Sequence, residues 1–188
     1  MKRHFNTHIE GLDLPFWHSL IERHGRRITY RAGESICLKG EPTNALGYVI
    51  SGYLLYEIES EKGRKAIGGF AFPEAMFGDY PSCMTNSPAL FNITAGKKTE
   101  VWLMDATLLP SLYATDTAMS RQGRLFMEAA YRSLCQRYYA LYSQSPAERY
   151  ITLIEEHPQI LQLPQKEIAA YLQISPIHLC RIRKALLR

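Results

Sequence analysis

Two kinds of hydrophobic pattern divide the chain. Between about Arg27 and Asp105 the apolar residues come in short runs rich in β-branched and aromatic side chains: "ESICLKG", "LGYVISG", "YLLYEIES", "RKAIGGFAF", "FNITAG" and "TEVWLMD". Glycine and proline separate them. Short strands at this spacing between turn signals predict an all-β sandwich or barrel. Two of the runs flank Ser60-Glu61-Lys62-Gly63, a predicted hairpin in which Gly63 supplies the positive φ. From Ala106 to Ser143 the texture changes. Here "MSRQGRLFMEAAYRSLCQRYYALY" has no proline and places Met119, Phe126, Ala130, Leu134, Tyr138 and Leu141 on one side of a helix. The helix has about 25 residues and is close to 40 Å long. One small sheet does not cover that much apolar surface, so pairing with a second copy is the natural outlet. Packing across the β domain is the alternative.

"SQSPAE" marks a hinge, with Ser145 able to cap and Pro146 able to open the next helix. The remainder, 146–188, reads as a separate all-helical unit. "PAERYITLIEEH" is amphipathic through Tyr150, Ile151 and Ile154 and ends at His157-Pro158; "QKEIAAYL" and "PIHLCRIRKALL" follow, with only Gln173, Ile174 and Ser175 between them. Ile168, Ala169, Leu172, Ile174, Leu179 and Ile182 fall where two steeply crossing helices bury side chains in a shared core. Ser175 is placed to cap the last helix and Pro176 to begin it. The whole is a predicted helix-turn-helix.

Charge sharpens this picture. The chain of 188 residues has a net charge of +4, and 164–188 alone carry Lys166, Arg181, Arg183, Lys184 and Arg188 against Glu167. A basic recognition helix in a DNA major groove reads with its N-terminal residues and outward face: Pro176, Ile177, Cys180, Arg181 and Lys184, flanked by His178 and Arg183. Arg181 suits base readout, since a guanidinium can bond O6 and N7 of guanine together. Lys166, Arg183, Lys184 and Arg188 suit phosphates, which fix position and not sequence. Gln165 and Ser175 complete the predicted DNA-contacting set. A solvated surface charge is the alternative for any one of these residues.

Composition excludes other classes. At 46% hydrophobic and 21% charged, the chain reads as globular, and it has no apolar run long enough for a membrane span or signal peptide. A cytoplasmic protein without membrane partners is expected. Cys37, Cys83, Cys135 and Cys180 form no C-x-x-C pair and are expected to be reduced thiols. His4 and His8 have metal-binding spacing, but two polar imidazoles near the N-terminus are the preferred reading and no metal site is expected. "NIT" at Asn92 is a glycosylation sequon only in a secreted chain. No Ser–His–Asp set, histidine cluster or phosphate loop can be picked out, and 25–105 contain no histidine for a cupin-type metal site. An enzyme is not expected.

With these motifs in place the chain resembles the Crp/Fnr family of bacterial transcription regulators over nearly its whole length. "YRAGESICLKGEPTNALGYVISGYLLYEI", with Gly33, Gly40 and Gly52, is similar to the family's opening strands. "FGDY" is similar to the start of its effector-binding cassette, and "LPQKEIAAYLQISPIHLCRIRKAL" to the DNA-binding tails of its short-tailed branch. The resemblance implies an α+β chain in three parts. These are an effector-sensing β jelly-roll domain with N-terminal helices over 1–115, a long dimerisation helix over 116–143, and an all-α, winged-helix-like helix-turn-helix domain over 146–188. It implies a homodimer on double-stranded DNA, an unidentified small-molecule effector, and RNA polymerase as a further partner. Phe77, Gly78, Asp79 and Tyr80 would then meet the effector, with Leu90 and Phe91 beyond them. Tyr131 and its neighbours Tyr138, Tyr139 and Tyr142 would either line the effector pocket or pack against the β domain and the partner helix.

Departures from the family pattern matter equally. Members that bind a cyclic nucleotide hold its phosphate with an arginine about ten residues after the acidic residue of the cassette. No Arg or Lys occurs here between Asp79 and Lys97. A phosphate would lose a charge-assisted bond worth about 1.5–3 kcal/mol, which argues against cyclic AMP. The family's iron–sulfur members use N-terminal cysteines, and the first cysteine here is Cys37. The cofactor therefore stays unknown. Gln173 stands where a glycine commonly makes the turn, and a left-handed conformation there costs about 1–2 kcal/mol. Ile177 replaces a frequent Glu and Cys180 a small residue, which exchanges cytosine readout for apolar contact with a thymine methyl. The alternative function is a sensor or protein-interaction module whose helical tail does not read DNA.

Overall fold

A computed structural model describes residues 13–59 and 65–186. The predicted turn at Ser60-Glu61-Lys62-Gly63, the His4/His8 pair and Arg188 lie outside the described residues.

The predicted strands form two four-stranded antiparallel sheets. One has the order β1 (Gly25–Tyr30), β8 (Thr99–Asp105), β3 (Ala45–Ser51), β6 (Met76–Gly78); the other is β2 (Ser35–Cys37), β7 (Asn92–Ala95), β4 (Leu54–Glu59), β5 (Lys65–Ala71). Their inner faces meet through Val49, Leu54, Ala71, Phe77, Ile93 and Val101, the alternate positions of each strand. Gly33, Gly40 and Gly52 all take positive φ. At Gly52 the turn from β3 to β4 runs so close to β8 that a Cβ would lie 2.4 Å from Thr99 Oγ1, so the position needs glycine twice over.

Helices cover the outer faces. α1 (Leu14–His24), capped by Asp13, lays Trp17 and Ile21 on the first sheet against Leu46, Tyr48 and Met104. α2 (Tyr80–Thr85) and α3 (Leu109–Thr115) continue that layer. The chain then turns at Asp116, whose carboxylate accepts from Ala118 N (2.8 Å) and Met119 N (3.2 Å), to start α4 (Thr117–Ser143). α4 has 27 residues and is about 40 Å long. Its first half is anchored by Met119 and by Phe126 against the Trp17 ring (5.4 Å). Its second half leaves Tyr131, Leu134, Tyr138, Tyr139 and Tyr142 exposed.

The cap predicted at Ser145 is present and is one half of a capping box, with Ser145 and Glu148 each bonding the other's backbone N–H at the start of α5 (Pro146–Glu156). Tyr150 and Leu153 are the buried residues of α5, while Ile151 is half-exposed. A short 3-10 turn at Pro158–Gln162 leads to α6 (Gln165–Leu172) and α7 (Pro176–Leu186). The helical unit does not keep its core to itself. Tyr150, Leu153, Ile160, Leu163, Ile168, Leu172, Leu179 and Ile182 form one cluster with Tyr53, Leu55, Ile67, Phe70 and Phe72 on the outer face of the second sheet. That face would otherwise expose five large apolar side chains, which is the hydrophobic reason for docking. Among the described residues no helix is long and apolar enough to cross a membrane.

Candidate nucleic-acid interface and effector cassette

α6 and α7 meet in the predicted way. Ile168, Ala169, Leu172, Leu179 and Ile182 are buried and Ile174 packs against them. Gln173 takes the left-handed conformation (φ 57°, ψ 40°). Its N–H reaches Ala170 O (3.3 Å) and the Ile174 N–H reaches Ala169 O (3.0 Å), so the end of α6 is a Schellman motif built without glycine. These two bonds satisfy carbonyls that the helix end leaves open, which offsets the strain at Gln173. Ser175 Oγ accepts from His178 N (3.1 Å) and caps α7.

The cap leaves the start and outer side of α7 facing outward. Pro176, His178, Arg181 and Lys184 are exposed, and Ile177 is 68% exposed. Cys180 is half-buried. Lys166 is exposed on α6, and Gln165 Nε2 donates to Pro176 O (2.9 Å), tying the two helix starts together. Arg183 differs from the sequence expectation. Its Nε donates to the Tyr150 hydroxyl (2.9 Å) and its guanidinium lies 5.5 Å from that ring, so it joins α7 to α5 in place of standing free for phosphate.

In the cassette, Asp79 is buried and its carboxylate is fully engaged. It accepts from Leu90 N (2.8 Å), Ser82 Oγ (2.9 Å) and, more weakly, Ser82 N (3.4 Å), which closes the segment 79–90 on itself. Phe77 belongs to the inner core, and the Gly78 N–H faces the Tyr56 hydroxyl at 3.4 Å. Burial pushes the Tyr56 hydroxyl above the ordinary tyrosine range, so it stays protonated. Phe91 tilts against Tyr56 (5.3 Å), and Leu90 is exposed. Tyr80 and Tyr131 do not join them. Tyr80 turns to α3 and α4, its hydroxyl donating to that of Tyr113 (2.9 Å), and Tyr131 is 68% exposed on α4. Ala89, ten residues after Asp79, is buried in the inner core. Among the described residues no group of three His, Cys, Asp or Glu can hold a metal ion, and the four cysteines are free thiols.

Residues 27–116 match the cyclic nucleotide-binding domain family. Over these residues, just under half of the chain, the β unit is similar to that domain. The chain as a whole shares its fold with larger regulators. FixK2 from Bradyrhizobium japonicum superposes with a TM-score of 0.78 at 20% identity, over 86% of this chain and 84% of that one. A protein from Eubacterium rectale assigned to the Crp/Fnr family gives 0.71 at 19%, over 90% and 81%. The cyclic-di-GMP-responsive global regulator CLP of Xanthomonas campestris gives 0.69 at 16%, over 93% and 92%. At these identities the likeness shows the fold alone, which is that of Crp/Fnr regulators. No curated protein matches the sequence.

Polar groups pin the helix-turn-helix to the β unit, and the sequence reading missed them all. Arg137 of α4 donates to Gly68 O, to Ile67 O (3.0 Å) and to Tyr171 O (3.1 Å), and stacks 3.8 Å above the Tyr171 ring. Arg149 of α5 donates to Gln144 O (2.7 Å) and Leu172 O (3.1 Å). Both place positive charge on the C-terminal carbonyls of α6, where the helix dipole favours it. Nothing local marks Arg137 among the other arginines of α4; its partners are some 34 to 70 positions away.

The third fastening is Glu167 of α6, buried, which accepts from the hydroxyl of Tyr53 just before β4 (3.1 Å). Burial raises its pKa above the usual carboxylate range; the Tyr53 bond and Lys166 oppose that shift and Glu57 adds to it. A raised pKa means that the folded state takes up the proton more readily than the unfolded one. The carboxyl's stabilising contribution is present below its unfolded value, near 4.5, and is lost as pH rises through the raised value. Glu167→Gln keeps the acceptor for Tyr53 without the charge. It should raise the thermal midpoint at pH 7, with the gain closing as pH falls to 4; unfolding curves at the two pH values check this.

Proposed function

We propose that the chain is a homodimeric, sequence-specific DNA-binding transcription regulator of the Crp/Fnr type that does not use cyclic AMP. The observation that carries the reading is α7. It is a capped helix seated on a mainly apolar core, and its N-terminal turn and basic side are left open to a partner. Arg181 is the base-reading residue, Ile177 meets a thymine methyl, and Lys166 and Lys184 hold phosphates. The exposed tyrosines and Leu134 on the second half of α4 supply the surface for a second copy. In the dimer the two α7 helices enter successive major grooves of a near-palindrome, with half-site centres roughly 34 Å apart. The cassette supports the negative part of the proposal: Asp79 already takes its polar groups, and the place of a phosphate-binding arginine is held by the buried Ala89. RNA polymerase is the remaining partner that this reading carries.

Selection of duplexes from a random pool at two salt concentrations tests the proposal. A two-fold motif should emerge, with affinity falling as salt rises because phosphate contacts release counterions. Arg181→Ala should then weaken binding to the selected duplex about 10- to 100-fold, the equivalent of about 1–3 kcal/mol, and leave random duplex nearly unchanged. Equal losses on both would remove Arg181 from base readout. A pool that yields no motif would favour the reading in which the tail does not recognise DNA.

A further inference from the structure

Arg137 occupies a position that its three carbonyl partners make unusual. β4 and β5 slip register between Tyr56 and Glu57: Tyr56 pairs with Gly69 and Glu57 with Ile67, so Gly68 is the extra residue of a β-bulge. A bulge leaves main-chain groups outside the ladder. Arg137 donates to the carbonyl of that very residue and to that of Ile67 beside it. The same guanidinium bonds the carbonyl of Tyr171 in the last turn of α6 and sits over its ring, 3.8 Å from the centroid. One side chain on α4 therefore holds both the bulged hairpin of the β unit and the helix against which α7 packs. The partners are carbonyl oxygens and a ring face, which the planar fork of a guanidinium can serve together and an ammonium cannot.

We infer that Arg137 is a positioning residue for DNA recognition: it sets the place of the helix-turn-helix relative to α4, and through α4 the spacing of the two α7 helices in the dimer. The inference rests on the proposed function, because spacing has meaning only for a dimer on two half-sites. In the full-length protein the two half-sites of the selected duplex are moved apart by two and by five base pairs. The wild type binds the native spacing and loses most of its affinity on both altered duplexes. Arg137→Met weakens binding to the native spacing about tenfold through lost preorganisation and flattens the preference, so that the three duplexes bind with similar affinity. Arg137→Lys lies between the two and serves as the test if Arg137→Met does not fold. An equal proportional loss on all three duplexes, or no loss, overturns the inference.

A second measurement needs no DNA. Labels carried by unnatural amino acids at Glu41 and Ala185, both exposed, report the distance between the β unit and α7. The distribution should be narrow in the wild type and broad in Arg137→Met. An unchanged width overturns the role of Arg137 even where DNA binding itself fails, and a wild type that binds no duplex while Arg137→Met broadens the distance removes the proposed function alone.

Discussion

Leu134→Glu combined with Tyr138→Glu should convert a dimer into a monomer and lower affinity for a two-half-site duplex by about 100- to 10,000-fold. The size of the effect follows from linkage. In a dimer the second α7 binds at the high effective concentration set by the first, and a monomer loses that advantage without losing a single DNA contact. Leu134 and Tyr138 stand in the exposed stripe of α4, with Tyr138 packed against the rings of Tyr142 (4.9 Å) and Tyr139 (5.8 Å) and with no other element covering them. Charge is tolerated there in a free chain but not in an apolar seam between two copies. Light scattering should give the mass of one chain, 21.5 kDa, for the variant and twice that for the wild type. Titration with a single half-site should give equal affinities. A wild type with the mass of one chain would leave the tyrosine stripe to a different partner.

Leu179→Ala should lower stability by about 2–5 kcal/mol, and Ile177→Ala, two residues earlier on the same helix, by less than about 0.5 kcal/mol. Leu179 is 0% exposed in the cluster that joins α6 and α7 to the second sheet. Removing its side chain leaves a cavity that neither the sheet nor the crossed helices can close without moving. Each kcal/mol lost lowers the thermal midpoint by about 2–4 °C for a chain of this size, so the shift is easily read. Ile177 touches almost nothing inside the chain, and its substitution should instead change the bases preferred at one position of each half-site. Thermal unfolding and duplex selection on the same two variants separate the packing face of α7 from its reading face. A large stability loss at Ile177, or a small one at Leu179, would mean that the helix is turned otherwise.

That division between two faces was legible in the sequence. The three- and four-residue steps of Ile168, Ala169, Leu172, Leu179 and Ile182 depend only on helical geometry, and all five are buried. The caps at Ser145 and Ser175 act over three residues and appear where the sequence places them. Gln173 follows the same rule: with the helices on either side of it defined, the turn demands a left-handed residue whichever side chain is there. The roles of single charges were less legible. Arg183 looks like Arg181 and Lys184 in the sequence, yet it faces Tyr150 from α5, a residue 33 positions away. Tyr80 lies inside the "FGDY" motif, but a short helix turns its ring toward Tyr113 and Phe126, while Phe77 goes into the inner core and Asp79 bonds its own segment.

By itself, then, the sequence determined the strands and their turns, the long helix, the helix-turn-helix with its inner and outer faces, and the lack of a cationic residue in the cassette. Each depends on periodicity, capping or the presence of a residue type, which act within a few positions. Only the tertiary structure decided that the helical unit shares its core with the outer face of the second sheet, and that Arg137, Arg149 and Glu167 fasten it there. It also decided that Asp79 closes the cassette from within. Those outcomes depend on which distant surfaces meet. A bulge at Gly68 exposes a carbonyl and a helix on the far side of the chain brings a guanidinium to it, and no local pattern records that encounter.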